Sequence, residues 1–212
     1  LSDGYIANGA EPWKFPQSAD LPAIENHFKT QLGHGEDKFQ PYLRDEKLVR
    51  PWVVPGTAGL EHRIGGLEKQ NITGNISYDA DNHQLMVKIR QEKVDKIASY
   101  IPKQQLDSGA EKGKILVLGW GSTYGAIKSA CTELQQQGVS VSHAHLRYIR
   151  PFPENLGEII KNFEQVLIPE INNGQLIKII RDQYFVDAKG YNKIMGVPIY
   201  KGELVEAIKR ML

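Results

Sequence analysis

Cysteine is nearly absent: the single thiol, Cys131, has no internal disulfide partner and by itself supplies too few ligands for a zinc or iron–sulfur site. An excess of either charge is missing as well. Lys and Arg total 26 against 25 Asp and Glu, so a net charge of +1 sets up no field to gather nucleic acid or an anionic membrane surface. No run approaches the roughly 18–20 consecutive apolar residues of a membrane span, and the first residues lack the basic-then-apolar order of a secretory signal. A reducing cytoplasm fits these absences, and the Asn-X-Ser/Thr triplets at Asn71 and Asn75 then read as accidents rather than glycan acceptors. Also missing are a nucleophile elbow, a Walker loop, a kinase signature and a glycosidase carboxylate pair, so the residues alone spell out no complete active site and no catalytic residue is assigned. At 212 residues, two large domains are excluded.

What is present divides into three parts: an extended arm over 1–55, a glycine-rich loop and linker helix over 56–110, and an α/β domain over 111–212. Six of the eleven prolines fall in the first part and repeatedly remove backbone donors. Trp13, Phe15, Phe28, Phe39, Tyr42 and Trp52 still require cover, so the arm is expected to pack on neighbouring domains or subunits; folding back on its own C-terminal domain is the alternative. Leu1 stands where a methionine would begin a chain, and Leu1-Ser2-Asp3-Gly4 reads as the tail of a strand with no strand before it. The chain is therefore expected to be the C-terminal part of a longer polypeptide. In the second part Val87, Val94 and Ile101 recur at heptad spacing with Ile97, which predicts one amphipathic helix from about 83 to 101, closed by Pro102. The polar stretch 104–113 is the expected internal boundary.

The third part alternates strand and helix. Lys114–Gly121 is an apolar run ending in glycines, followed by a helix with Ala126, Ile127, Ala130 and Leu134 on one face and Gly138 at its end. Val139–Ile149 and Gln165–Ile171 predict two more strands, and Tyr191–Gly196 a fourth. Between them lie a helix carrying Leu156, Ile159, Ile160 and Phe163 and one carrying Leu176, Ile177 and Ile180, capped by Asn172 or Asn173. A closing helix buries Leu204, Val205, Ile208 and Leu212. Short loops between alternating elements predict a three-layer α/β fold, an open and mostly parallel sheet covered on both faces.

Gly119-Trp120-Gly121-Ser122-Thr123-Tyr124-Gly125 sits where such a sheet binds ligands, which makes Gly119, Gly121, Ser122 and Thr123 the ligand-facing candidates. The glycine spacing is not the dinucleotide fingerprint and favours a tight turn with Ser122 or Thr123 as helix cap. His143 and His145 share one strand face like a metal pair, yet no third ligand is visible, so they read as partly buried or interfacial and no metal site is expected. Cys131 reads as core, and Arg147 and Arg150 as an anion clamp or a solvated strand end. The loop Glu61-His62-Arg63, with Glu68 and Asn82-His83, offers acid and base together; His62, Arg63 and His83 are candidates for a substrate or subunit contact.

Gly56–Lys69 (GTAGLEHRIGGLEK), Thr73-Gly74, Asp81-Asn82-His83, Arg90 and Lys93-Val94 together resemble the segment joining the pyrimidine-type domain to the transketolase C-terminal-like domain in alpha subunits of 2-oxoacid:ferredoxin oxidoreductases. LSDGYIANGAEPW resembles the exit from that pyrimidine-type domain, and GWGSTYGAI with LRYIRPFP resembles the opening of a transketolase C-terminal-like, Rossmann-like domain. The resemblance implies an enzyme turning 2-oxoglutarate and coenzyme A into succinyl-CoA and carbon dioxide, with pyruvate or branched-chain 2-oxoacids as alternative substrates. It also implies thiamine diphosphate and an iron–sulfur cluster in the parent complex with neither in this chain, a beta subunit carrying the pyrophosphate-binding domain, ferredoxin as acceptor, and a homo-oligomer as a further arrangement. The contrasting expectation is a non-catalytic ligand-binding or regulatory α/β module.

Overall fold

The computed structural model describes residues 1–7 and 16–212, so Trp13 and Phe15 of the expected arm lie outside the described residues. The chain groups into two compact units. Unit 1 comprises Leu1–Pro12 with Ile101–Leu212, and unit 2 comprises Trp13–Tyr100. The division falls ten residues before the boundary drawn from composition at 110, because the polar stretch 104–113 contains strand β1 (Leu106–Ser108) and belongs to the sheet. Three residues flanked by glutamines and a glycine are too short to show alternation.

Unit 1 is a five-stranded sheet in the order β1-β3-β2-β4-β5. Strands β2 (Gly113–Trp120), β3 (Val141–Leu146), β4 (Phe163–Glu170) and β5 (Lys189–Asn192) run parallel, and β1 is antiparallel to β3. Helices α3 (Tyr124–Gln136) and α6 (Lys201–Lys209) cover one face, where Ile127, Cys131, Leu134, Leu204 and Ile208 pack on Ile115, Val117 and Leu167. Helices α4 (Leu156–Lys161) and α5 (Gln175–Tyr184) cover the other, packing Leu156, Ile160, Leu176 and Ile180 on Leu116, Leu118, Val166 and Ile168. The central strands are thus apolar on both sides, which is why β2 and β4 read as unbroken hydrophobic runs. The expected open, mostly parallel, doubly covered sheet is the observed one. Cys131 is fully buried in it, and desolvation pushes its thiol up to about 12, consistent with a packing role.

Local differences have local causes. Phe163, counted on a helix, opens β4 instead, because α4 stops at Lys161 and Gly113 pairs with Phe163. Leu212 lies beyond the end of α6 and is 56% exposed. Leu1–Asp3 leads into a single helical turn, α1 (Gly4–Ala7), rather than out of a strand.

Unit 2 contains one long helix, α2 (Ala80–Lys96), which starts earlier than expected because the Asp79 carboxylate accepts from Asn82 N at 2.7 Å as its cap. Its covered line runs through half-buried Asn82, buried Met86 and half-buried Ile89, at helical spacing, whereas Val87 and Ile97 of the expected heptad stripe are exposed. Isolated bridges, Phe28 with Trp52, Tyr42 with Ile72 and Lys69 with Ile76, hold the rest. Phe39, Leu60 and Met86 are its buried apolar side chains among the described residues, while Phe28 and Trp52 stay substantially exposed. Among the described residues no helix is long and apolar enough to cross a membrane.

His143 is wholly buried between β3 and α3, with no hydrogen bond to either ring nitrogen. Burial holds its pKa down at about 4 against an ordinary 6.5; Asp107 of β1 pulls it up, and His145 of β3 and Lys128 of α3 push it further down. The ring of Tyr124, also from α3, lies 5.5 Å from it. The neutral ring is the folded form, so its contribution is complete above pH 6.5 and is lost as pH falls from there toward about 4. Urea unfolding followed by circular dichroism is expected to show this loss in the native chain and a flatter profile in His143→Phe; equal slopes for the two proteins would refute the assignment.

Candidate functional site at the carboxyl edge of the sheet

Strand β2 hands the chain to α3 on one face, and its neighbour β4 hands it to α5 on the other. Their carboxyl ends therefore form the switch point of the sheet, the crevice where open α/β folds place ligands. Two helix N-termini converge here, each with free backbone N–H groups and a positive dipole end suited to an anion.

Both anion seats are taken by carboxylates of the chain itself. In the helical turn Gly121–Thr123 that runs into α3, the Asp3 carboxylate accepts from Ser122 N at 2.7 Å and from Ser122 Oγ, which lies 2.8 Å from each of its oxygens. Gly121 turns with φ of +64°, and a Cβ there would collide with that carboxylate. At α5, Glu170 is only 1% exposed and accepts from Leu176 N at 2.9 Å and Ile177 N at 3.1 Å. The same carboxylate takes hydrogen bonds from Trp120 Nε1 at 3.3 Å and Asn172 Nδ2 at 3.0 Å. Asn172 completes the turn by accepting from Gln175 N at 2.9 Å, and its amide also donates to Ser2 O at 3.2 Å. Ser2 N in turn donates to Gln175 Oε1 at 2.7 Å.

The ligand-facing candidates separate accordingly. Ser122 points at Asp3. Thr123 is buried and its hydroxyl donates back to Trp120 O at 2.8 Å. Neither hydroxyl caps α3, which corrects the expectation: Ser122 is engaged by Asp3, and Thr123 already has helical backbone angles continuous with the preceding turn. Gly119 faces inward, where Ile127, His145 and Thr123 crowd the space a Cβ would need. Asn172 takes part in the α5 turn as predicted, although Gly174 holds the formal cap position and Glu170 does most of the capping.

His145 donates through Nε2 to Gly121 O at 3.1 Å, and burial is the main cause of its lowered pKa. It shares its strand face with His143, but the described residues contain no cluster of three His, Cys, Asp or Glu able to hold a metal.

In unit 2 the acid–base loop splits in two. His83 Nδ1 pairs with Glu68 Oε2 at 2.6 Å, and Arg90 reaches Glu68 Oε1 at 3.2 Å. These hydrogen bonds, His83's first, hold the Glu68 carboxyl below its usual range. His62 stands apart: its Nδ1 donates to Leu60 O at 2.9 Å, and the ring lies edge-on to Phe39. With Trp52, Glu61 and Ile64 it lines a cleft of about 440 Å³. Arg63 is exposed and joins neither group.

Four contributors escaped sequence reasoning. Asp3, Glu170, Lys69 and Arg90 had no chemical role assigned from the residues. Glu170 carried the clearest signal, an acid ending an apolar strand just before an Asn-Asn-Gly turn. Lys69 is 3% exposed and donates to Gly65 O at 2.5 Å and to Leu67 O, so a buried ammonium gathers the glycine loop around it.

Glu170→Ala is expected to destabilise unit 1 by about 3 kcal/mol or more, because several buried donors lose their acceptor at once, and Glu170→Gln by less. Chemical denaturation measures this, and an alanine variant within about 0.5 kcal/mol of the native chain would contradict the assigned role. Lys69→Met is expected to cost unit 2 about 1–3 kcal/mol and to raise proteolytic cleavage within 56–69, since two carbonyls lose their donor. An unchanged cleavage pattern would show the loop to be held by other contacts.

Comparison with known proteins accords with this geometry. Residues 113–206 match the family profile of the pyruvate:ferredoxin oxidoreductase core domain II. The 2-oxoglutarate oxidoreductase subunit KorA of Mycobacterium tuberculosis is 46% identical over 100% of this chain and 32% of its own length. The alpha subunit of 2-oxoacid:ferredoxin oxidoreductase 1 from Aeropyrum pernix is 30% identical over 98% of this chain and 33% of its own length. Among solved structures, the 2-oxoglutarate:ferredoxin oxidoreductase of Magnetococcus marinus, with 2-oxoglutarate, coenzyme A and succinyl-CoA bound, superposes with a TM-score of 0.81. It does so at 24% identity, over 92% of this chain and 34% of that one, and so supports the fold. The chain thus spans about a third of the length of the curated relatives it matches. By sequence along its whole length, it is similar to alpha subunits of 2-oxoacid:ferredoxin oxidoreductases, and over 113–206 to the core domain II family.

Proposed function

We propose that this chain is part of an enzyme that converts 2-oxoglutarate and coenzyme A to succinyl-CoA and carbon dioxide, passing the electrons to ferredoxin, and that this part serves structure and assembly. The substrate rests on the relative described as a 2-oxoglutarate oxidoreductase, which is more similar than the one described only by 2-oxoacid. The structural role rests on one observation: the two anion seats that the fold offers at its switch point are satisfied internally, by Asp3 and Glu170. A crevice filled in this way is a fastening.

The residues present do not suit an iron–sulfur cluster, since the one cysteine is buried and its thiol is pushed up to about 12. Thiamine diphosphate, which supplies the carbanion chemistry of such enzymes, is proposed to sit elsewhere in the assembly together with the groups that touch substrate. Partners under this reading are a beta subunit bearing the pyrophosphate-binding domain, and ferredoxin, in a reducing cytoplasm. His62, Arg63 and His83 remain proposed contacts to substrate or a subunit.

The test is anaerobic purification of the intact alpha subunit with its partner, followed by coenzyme A-dependent reduction of a viologen dye with a panel of 2-oxoacids. Reduction with 2-oxoglutarate alone is expected. Preference for pyruvate or a branched-chain 2-oxoacid would replace the substrate, and no reduction by a cofactor-loaded complex would overturn the enzymatic reading. Ser122→Ala is expected to lower the yield of assembled complex while leaving kcat per assembled enzyme within about twofold, whereas a large fall in kcat with full assembly would place Ser122 in the chemistry.

A further inference from the structure

Unit 1 is discontinuous in sequence: residues on both sides of unit 2 belong to it. The leading piece meets the carboxyl edge of the sheet through a set of hydrogen bonds. Ser2 N meets Gln175 Oε1 at 2.7 Å, Asn172 Nδ2 meets Ser2 O at 3.2 Å, and Ser122 N and Oγ meet the Asp3 carboxylate at 2.7 and 2.8 Å. These contacts are largely open to water, and Leu1, Ser2, Ser122 and Gln175 are all exposed. By contrast, the strands beneath are sealed, with Leu116, Leu118, Val166 and Ile168 fully buried.

The energetic contrast follows. Exposed hydrogen bonds contribute modestly, so such contacts open more often than a core that must expose apolar surface to do so. Charge still gives the Asp3 contact selectivity, because an ionised acceptor at a helix N-terminus is favoured over a neutral one. The Gly121 turn leaves room for that carboxylate, which a side chain at this position would fill.

We propose that Leu1–Asp3 is a releasable clasp: docked on Ser122, Asn172 and Gln175 it closes residues 13–100 into a loop tied at both ends to unit 1, and undocked it frees one end while the sheet stays folded. The clasp deepens the structural role proposed above and rests on it.

Hydrogen–deuterium exchange on the intact alpha subunit in its complex tests the clasp directly. Asp3→Ala is expected to speed exchange at Ser122–Tyr124 and Gly4–Ala7 by roughly 10- to 100-fold. Asp3→Asn, which keeps one acceptor, is expected to have a smaller effect, as is Ser122→Ala, which keeps the backbone donor. Amides of β2 and β4 should not change. Unaltered exchange at Ser122–Tyr124 in Asp3→Ala would show that no clasp restrains this edge. Acceleration spreading through β2 and β4 would make Asp3 part of the global fold rather than a separable contact. Since the readout is exchange and not turnover, failure of the clasp leaves the structural role standing, whereas loss of kcat from a clasped, assembled enzyme would count against that role alone.

Discussion

A buried carboxylate can persist inside a protein only if donors surround it, and Glu170 meets that condition at the end of β4 with two backbone amides of α5, the Trp120 indole and the Asn172 amide. Much of the carboxyl edge depends on this contact. It fixes where α5 starts, ties β4 to the end of β2 through Trp120, and sets the orientation of Asn172. Asn172 then holds Ser2 O, and Gln175, positioned on the first turn of α5, holds Ser2 N. A single acid thus links the sheet, one covering helix and the leading segment of the chain.

The same edge has the arrangement that open α/β folds use for ligand binding. A switch point provides two helix N-termini aimed at one crevice, a favourable arrangement for phosphate or carboxylate. In this chain the seat at α5 is filled from within the strand by Glu170, and the seat at α3 is filled by Asp3, a residue remote in sequence. The crevice recognises its own polypeptide by charge and hydrogen bonding.

Most of the α/β unit was legible in the sequence because both faces of its central strands are covered, so β2 and β4 appear as apolar runs and the helices show clear i, i+3, i+4 faces. Strand β1 was not, since three residues cannot display a period. The stripe on α2 was misplaced because its unit buries little: Met86 alone is fully covered, and Val87 beside it carries the heptad by coincidence. At the site, the glycine turn was correctly located, but the partner of Ser122 could not be inferred. Asp3 lies 119 residues away, and no local pattern signals a contact made across that distance. Glu68 with His83 was visible as a grouping of acid and base, whereas the separation of His62 and Arg63 from it depends on how the glycine loop is folded around Lys69.

Internal satisfaction of the switch-point crevice is tested by isothermal titration calorimetry of the chain with coenzyme A, ADP, 2-oxoglutarate and inorganic phosphate. No saturable heat is expected with any of them; saturable binding lost in Ser122→Ala would show that the crevice takes an external ligand instead.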